Sequence, residues 1–200
     1  MAISLQKGQK VNLQKNSSAG LGEILVNLNW NSKPQKKGFL ANLFSGSGID
    51  LDLGCLFELK DGRKGAVQAL GNTFGSLNQP PYIALDGDDR TGAAAAGENL
   101  RINGNQIANI KRILVYTFIY EGVANWQQAD ATVTIKYPGA EDLVVKMDSY
   151  NSSNIMCGLA LLENVNDETF SVEKLVQFYP GHEALDRAYN WGMSWRAGRK

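Results

Sequence analysis

Histidine and cysteine, the residues most often used in catalysis and in zinc sites, are scarce in this sequence. Its 200 residues include one histidine and two cysteines. A zinc site would lack its usual ligands, and a Ser-His-Asp site would have to use His182, which has no nucleophile motif near it. Cys55 and Cys157 lie in apolar runs and give no disulfide framework, which fits a reducing cytoplasm. The sequence therefore predicts a cytoplasmic protein that is not an enzyme.

An excess of charge and a long apolar segment are both missing. Lysine plus arginine number 20, as do aspartate plus glutamate, so the charge balance favours no nucleic-acid partner. No stretch approaches the roughly 20 apolar residues of a membrane span. The first residues have no apolar core of the length that a signal peptide requires. With 44% hydrophobic residues the chain can bury a core, and we expect one domain over residues 1–200 without a transmembrane segment.

What is present is a series of short apolar runs separated by glycine and turn residues. The segment EILVNLNW at 23–30 alternates strictly, which is typical of a half-buried strand. Asp61-Gly62 and Pro138-Gly139 predict hairpin turns, and the residues after Pro180 have the spacing of a helix. Roughly a dozen strands and one late helix predict a mostly β fold. We expect a β-sandwich of two antiparallel sheets with a short C-terminal helix.

Two aspartates begin the apolar segment DLDLGCLFEL. Asp50 and Asp52 are two residues apart on a predicted strand, so both carboxylates project from one face, about 7 Å apart at their roots. The intervening Leu51 points to the other face, as does Cys55, and these residues are predicted to face the core. Two carboxylates on one face repel each other unless a cation or a base lies between them. The local scarcity of lysine favours a cation.

More acidic residues lie in the segment ALDGDDRTGAAAAGENL at 84–100. Its oxygen-bearing side chains are those of Asp86, Asp88, Asp89, Glu98 and Asn99. Its glycines let the backbone turn sharply and bring carbonyl oxygens inward. Six to eight hard oxygen ligands on an adaptable loop are what calcium prefers, whereas magnesium demands a stricter octahedron. The ligand chemistry therefore indicates calcium.

The EF-hand does not fit this segment. If its loop begins at Asp86, Thr91 stands where glycine is required and Gly97 stands where the bidentate glutamate belongs. The flanking residues do not predict helices. The alternative to a metal site is a solvated acidic loop whose aspartates serve turns, and the spacing alone leaves that alternative open.

Several motifs in order resemble those of the TerD-domain proteins, the bacterial tellurium-resistance and general-stress family. The chain opens with ISLQKGQKVNLQK and continues with GIDLDLGCLFEL, and its GDDRTG is similar to the family's GDNlTG. GENL, IYEG and the tail GHEALDRAYNWGM follow at matching spacing. The resemblance covers nearly the whole chain.

The resemblance implies a non-enzymatic β-sandwich that binds Ca²⁺ and orders its acidic loops for partner binding. The implied partners are other proteins of the stress system, at the inner face of the membrane. Asp50 and Asp52 match the family's paired aspartates, and Asp88 matches the acid of its first loop. The other implied metal ligands stand where the family has asparagine or aspartate; they are Asp89, Glu98, Asn99 and Glu121.

The chain departs from the family pattern at residues 96–100. The usual run DGDDE is replaced here by AGENL, so four carboxylates become one. This departure favours a divergent branch nearer the family's TerA members. Three alternatives stay open: a β-sandwich that binds lipid or carbohydrate through calcium, a metal-free protein-interaction module, and a hydrolase that uses paired carboxylates.

Overall fold

The computed structural model describes residues 2–15, 20–31, 49–87, 97–121, 126–147, 150 and 153–196. Thirteen strands occur in these ranges: Ala2–Ser4 (β1), Lys10–Asn12 (β2), Glu23–Asn29 (β3), Asp50–Leu59 (β4), Lys64–Gln68 (β5), Gly75–Ser76 (β6), Ile83–Leu85 (β7), Glu98–Asn103 (β8), Ile110–Glu121 (β9), Thr132–Lys136 (β10), Asp142–Lys146 (β11), Met156–Val165 (β12) and Thr169–Tyr179 (β13). The helices are Trp126–Ala129 (α1) and His182–Ala188 (α2), and Gly104–Asn109 forms a 3-10 helix.

The strands form two sheets that pack face to face. One has seven strands in the order β1-β11-β10-β3-β8-β7-β6, and the other has six in the order β2-β13-β12-β9-β4-β5. All pairings are antiparallel except that of β1 with β11. The predicted β-sandwich with a short C-terminal helix is confirmed.

Both ends of the chain are needed to complete the sheets. Near the N-terminus, β1 pairs with β11 and β2 pairs with β13. Each of these pairings joins strands more than 130 residues apart in the sequence. Residues after 136 therefore supply interior strands to both sheets, and the edge strands come from earlier in the sequence. The prediction of one domain over 1–200 stays a prediction, with which this topology agrees.

Alternating residues of the inner strands fill the core between the sheets. On β3, Ile24, Val26 and Leu28 are buried, and on the neighbouring β8 Leu100 and Ile102 meet them. The intervening positions of both strands are more exposed. This is the periodicity of two that one buried sheet face requires. The alternation seen in the sequence at 23–30 is confirmed.

The outer face of the six-stranded sheet carries a second apolar cluster. Tyr116, Phe118 and Leu56 lie on that face and pack against Leu185 of α2 and Trp191 of the following tail. Strand β4 is consequently buried on both faces along most of its length. A strand covered on both sides shows little polar alternation, and this burial explains the nearly continuous apolar sequence of residues 51–59.

The predicted and observed secondary structure differ mostly in short strands. The sequence patterns described above do not predict the short strands β6 and β7, and β7 extends two residues into the acidic segment at 84–100. The hairpins β4–β5 and β10–β11 occur as predicted. No helix within the described residues is long and apolar enough to cross a membrane.

Candidate functional site

Asp50 and Asp52 lie at the beginning of β4 and share its outer face. Asp52 is 0% exposed, because it lies opposite Phe118 on β9 beneath the outer apolar cluster. Asp50 is half-buried. Leu51 and Cys55 alternate with them and face the core between the sheets, as predicted. Burial raises the pKa of the Cys55 thiol to about 12, so this thiol is protonated at neutral pH.

Glu98 reaches the same end of β4 from the opposite sheet. It is the first residue of β8, it is 2% exposed, and its Oε2 accepts a hydrogen bond from the Leu53 backbone N–H at 2.6 Å. Strand β5 pairs with β4 only from Gly54 onward. Because Leu53 lies beyond that pairing, the Glu98 carboxylate satisfies a backbone donor that a neighbouring strand would otherwise satisfy.

Gly97 determines the backbone conformation immediately before β8. Gly97 has φ near +64°, and a Cβ at this position would lie 2.1 Å from the carbonyl oxygen of Leu28. Only glycine adopts this backbone conformation so close to another main chain without strain. Gly97 thereby lets the chain turn into β8 with Glu98 directed inward.

Glu121 lies directly opposite Asp50. The two residues are cross-strand partners at the open ends of β9 and β4, where a register shift separates Asp50 from Leu51. Like charges at directly opposed positions of two strands destabilise a sheet by a few tenths of a kcal/mol to about 1 kcal/mol. The fold therefore brings Asp50, Asp52, Glu98 and Glu121 to one end of the β4–β9 pair.

Asn99 lies on the other face of β8. Its neighbours Glu98 and Leu100 are buried, whereas Asn99 is half-buried and its Oδ1 accepts a hydrogen bond from Asn27 Nδ2 at 2.8 Å. The two implied ligands of the GENL motif thus point in opposite directions, because successive residues of a strand alternate. Asn99 is not brought together with Glu98.

The acidic residues of the segment at 84–100 do not all lie at the candidate site. Asp86 accepts two hydrogen bonds from the guanidinium of Arg101, at 2.6 and 2.7 Å. Asp88 and Asp89 lie outside the described residues. The chain from 88 to 96 connects β7 to β8, and its far end enters β8 directly at Glu98. The segment therefore begins at an ion pair and ends at the buried carboxylate beside β4.

The donor set gathered here consists of carboxylate oxygens. Hard oxygen donors fit calcium and do not fit zinc or copper. Within the described ranges, however, no group of three or more histidine, cysteine, aspartate or glutamate side chains lies close enough together to hold a metal ion. The described residues thus supply part of an oxygen ligand set, and a calcium site would need further donors.

A second group of polar and aromatic side chains lies on the outer face of the six-stranded sheet, beside Asp52. Burial raises the pKa of the Tyr116 hydroxyl, with further contributions from Cys55 and Asp52. The Tyr116 hydroxyl donates to Gln68, and the ring of His182 packs against that of Tyr116. Sequence reasoning missed this group, because its members lie far apart in the chain, on β5, β9 and α2.

The fold and these carboxylates define an antiparallel β-sandwich with buried acids at one end of its central strands. A family model described as "TerD domain" matches residues 1–136. The chain belongs to the TerD-domain family. The match ends before β11, whereas β11, β12, β13 and α2 complete the structure.

Curated relatives carry names from tellurium resistance and stress response. The chain is 41% identical over 199 residues to "Tellurium resistance protein TerA" of Alcaligenes sp, covering 99% of this chain and 58% of that protein. It is 32% identical over 140 residues to "Tellurium resistance protein TerX" of Serratia marcescens, and 30% over 130 residues to "Stress response protein SCP2" of Bacillus subtilis (strain 168). Those matches cover 61% and 64% of this chain, and 64% and 65% of the two relatives. The chain therefore spans about three fifths of the length of these relatives.

Two solved structures share the fold. A protein of unknown function, SAV2460, superposes with a TM-score of 0.61 at 13% identity, over 84% of this chain and 95% of that one. A homologue of telluride resistance protein (TerD), SCO6318 from Streptomyces coelicolor A3(2), superposes with a TM-score of 0.55 at 16% identity over the same shares. At these identities the likeness shows the fold alone.

Proposed function

We propose that the chain is a non-enzymatic, cytoplasmic calcium-binding module of a bacterial stress-response or tellurium-resistance system. The observation that carries this proposal is the burial of two carboxylates from different sheets: Glu98, which accepts a hydrogen bond from the Leu53 N–H, and Asp52, the residue before Leu53. Removing carboxylates from water costs several kcal/mol each, and a nearby cation offsets part of that cost. Calcium would add such a charge at this end of β4.

Asp50, Asp52, Glu98 and Glu121 lie at this end of the β4–β9 pair and are the described residues from which the ion would take part of its ligands. Asp88 and Asp89 of the connecting segment are the candidates for the remaining carboxylate donors, since that segment enters the site at Glu98. Asn99 is left out of this set because its side chain bonds to Asn27 on the other face of β8. Fewer carboxylates than the family pattern supplies favour one ion bound with modest affinity.

Calcium bound in this place would join the beginning of β4 to the beginning of β8. The segment from 88 to 96 would then be held where it enters the sheet. A ligand that binds only the ordered state stabilises that state by mass action. The ordered segment would form a surface for other proteins of the stress system, at the inner face of the membrane.

Exposed apolar side chains beside the acids support a partner surface at this end of the sandwich. Tyr120, next to Glu121, is 40% exposed, and Ile155 is 45% exposed. Ile155 lies beside β9, since its carbonyl oxygen accepts a hydrogen bond from the Ile119 N–H at 2.8 Å. Exposed aromatic and aliphatic side chains rimmed by charged residues are typical of protein-binding surfaces.

Calorimetric titration of calcium into the metal-stripped protein tests the metal site. We expect saturable binding that Asp52→Asn and Glu98→Gln each weaken by about tenfold or more, because each removes one ligand charge at nearly constant shape. Glu168→Gln, in the exposed turn between β12 and β13, is the matched control and should bind as the parent chain does. Absence of calcium binding, or equal binding by all four proteins, would refute the proposal.

A further inference from the structure

An open cleft of about 810 Å³ lies on the outer face of the six-stranded sheet. One wall is formed by β5 and the turn after it, including Gln68 and Thr73. The other wall is formed by α2 and the tail, including His182, Arg187, Trp195 and Arg196. Sites for small molecules typically enclose about 300–1,000 Å³, so the cleft has the size of such a site.

A buried carboxylate fixes the tryptophan of this cleft. Asp186 is 4% exposed, and its oxygens accept hydrogen bonds from the backbone N–H groups of Gly192 at 2.8 Å and Met193 at 3.0 Å. Asp186 also accepts from the indole Nε1 of Trp195 at 3.0 Å. The Trp195 indole is thereby held in place, and Trp195 is one of the residues that line the cleft.

The base of the cleft is a hydrogen-bonded and aromatic group. Gln68 Oε1 accepts from the Tyr116 hydroxyl at 2.5 Å and from His182 Nε2 at 2.9 Å. Because an amide oxygen can only accept, His182 carries its proton on Nε2 and keeps Nδ1 as an acceptor. Its ring lies 5.0 Å from that of Trp195 and packs edge-on against Phe118. Burial lowers the pKa of His182 to about 4, so the ring is neutral at physiological pH.

The mouth of the cleft is positively charged. Arg187 and Arg196 are both exposed there, and among the described lining residues Glu183 is the single acid. Arg187 lies 3.8 Å from Glu183, but both side chains are more than two-thirds exposed. An ion pair so exposed to water contributes little, and it leaves the guanidinium available to another anion.

We propose that this cleft binds a small organic anion that carries a planar aromatic ring. The ring stacks on Trp195 beside His182, and the anionic group lies between Arg187 and Arg196. Arginine is suited to this role because its planar group pairs with carboxylate or phosphate in a bidentate manner. The Thr73 hydroxyl and the Gln68 amide supply further polar groups on the opposite wall.

The side chains that supply the ring platform and the charge all come after residue 136. They therefore lie beyond the part of the chain that the TerD family model matches. The similarity to the Alcaligenes protein covers 199 residues and includes them. The cleft would accordingly belong to chains with this C-terminal extension of the sandwich, and it does not depend on the proposed calcium site.

The test uses the full chain labelled with ¹⁵N and three probes: 2-naphthyl phosphate, 2-naphthol and inorganic phosphate. The indole N–H signal of Trp195 is identified with the variant Trp195→Phe. We expect 2-naphthyl phosphate to shift this signal saturably, with an affinity at least about tenfold above that of either other probe. The naphthol lacks the charge and the phosphate lacks the ring, so the comparison separates the two contributions.

Substitutions in the cleft test whether 2-naphthyl phosphate binds there. Arg196→Gln, which changes an exposed side chain, should weaken binding of 2-naphthyl phosphate by about tenfold. Trp195→Leu lacks the indole signal, so its binding is followed through the backbone N–H of Gly181, which lines the cleft, and it should be weakened at least as much. Lys136→Gln, an exposed cation on the other sheet, is the matched control and should leave the affinity unchanged. The proposal is overturned if 2-naphthyl phosphate gives no shift at millimolar concentrations. Equal affinity for 2-naphthol, or an Arg196→Gln variant that binds like the control, also overturns it.

Discussion

The carboxylate of Glu98, on the seven-stranded sheet, accepts a hydrogen bond from the Leu53 N–H of the six-stranded sheet at 2.6 Å. This contact crosses the sandwich in its buried interior. It lies where β4 extends beyond its pairing with β5, which begins at Gly54. The bond satisfies a backbone donor and places a second buried carboxylate at the residue that follows Asp52, so one side chain serves both the fold and the candidate metal site.

Two substitutions at Glu98 separate these roles. Glu98→Ala leaves the Leu53 N–H buried without its acceptor, and we expect a loss of about 1–3 kcal/mol in the free energy of unfolding of the metal-free protein. Glu98→Gln keeps an acceptor and removes a charge beside Asp52, so its metal-free stability should equal or exceed that of the parent chain. Urea unfolding in the presence of a chelator measures both. Equal losses in the two variants would argue against the hydrogen bond as the stabilising element.

Arg112, on β9, connects the C-terminal tail to the six-stranded sheet. Its guanidinium binds Glu58 at 2.6 Å and the carbonyl oxygen of Tyr189 at 2.9 Å, and it lies 3.8 Å above the ring of Trp191. We expect Arg112→Ala to lower the free energy of unfolding by about 3 kcal/mol, because the buried Glu58 loses a partner. Arg112→Lys keeps the charge but not the planar group, and it should lose about half as much. Denaturant unfolding of both variants checks this ranking, which a Lys variant as unstable as the Ala variant would contradict.

Asp186 is expected to control the position of the tail. In Asp186→Asn the side chain can no longer accept from all three donors, and we expect a loss of about 1–3 kcal/mol together with a shifted Trp195 indole N–H signal. Glu183→Gln, an exposed change on the same helix, should stay within about 0.5 kcal/mol. Thermal unfolding of each variant measures the stability loss, and an NMR spectrum of each variant measures the shift of the Trp195 signal. A Trp195 signal unchanged in Asp186→Asn would show that another contact holds the tail.

His182 should make stability depend on pH between about 4 and 6.5. Burial lowers its pKa to about 4 in the folded chain, whereas in the unfolded chain it is about 6.5. In this window the unfolded chain binds a proton that the folded chain does not. Stability is therefore complete above about pH 6.5 and falls as the pH drops toward 4, by about 2–3 kcal/mol in total.

The contribution of His182 can be isolated because it is the single histidine of the chain. His182→Gln retains a donor toward Gln68 and does not titrate. The difference in unfolding free energy between the parent chain and this variant should shrink as the pH falls from neutral to about 4.5. A difference that stays constant over that window would mean that the folded chain takes up the proton as readily as the unfolded one.

Strand periodicity made much of the fold predictable. Ile24, Val26 and Leu28 are buried on β3 as their alternation indicates, since a sheet with one buried face imposes a period of two. Strand β7, with only Ile83 to Leu85, is too short to show a period. It becomes a strand by pairing with β8 over residues 100–102, a contact that local sequence does not encode.

The types of residue in the candidate site could be predicted from the sequence, but the directions in which their side chains project could be predicted only in part. Asp50 and Asp52 share a face as their spacing requires, but the complete burial of Asp52 depends on Phe118 and the cover supplied by the tail. Glu98 and Asn99 looked equivalent as ligands in GENL, yet they project from opposite faces because β8 begins at Glu98. Predicting that difference would have required knowing the residue at which β8 begins. That residue depends on Gly97, whose backbone lies close to the carbonyl oxygen of Leu28.

We propose that the buried carboxylates form a calcium site, and thermal unfolding of the metal-stripped protein is the decisive measurement for it. The parent chain and an Asp52→Asn/Glu98→Gln double variant are each titrated with calcium and, separately, with magnesium. We expect calcium to raise the midpoint of the parent chain by about 4 °C or more, magnesium to raise it far less, and the double variant to respond to neither. A parent midpoint that neither ion moves, or an equal calcium shift in the double variant, would rule out a calcium site at these carboxylates.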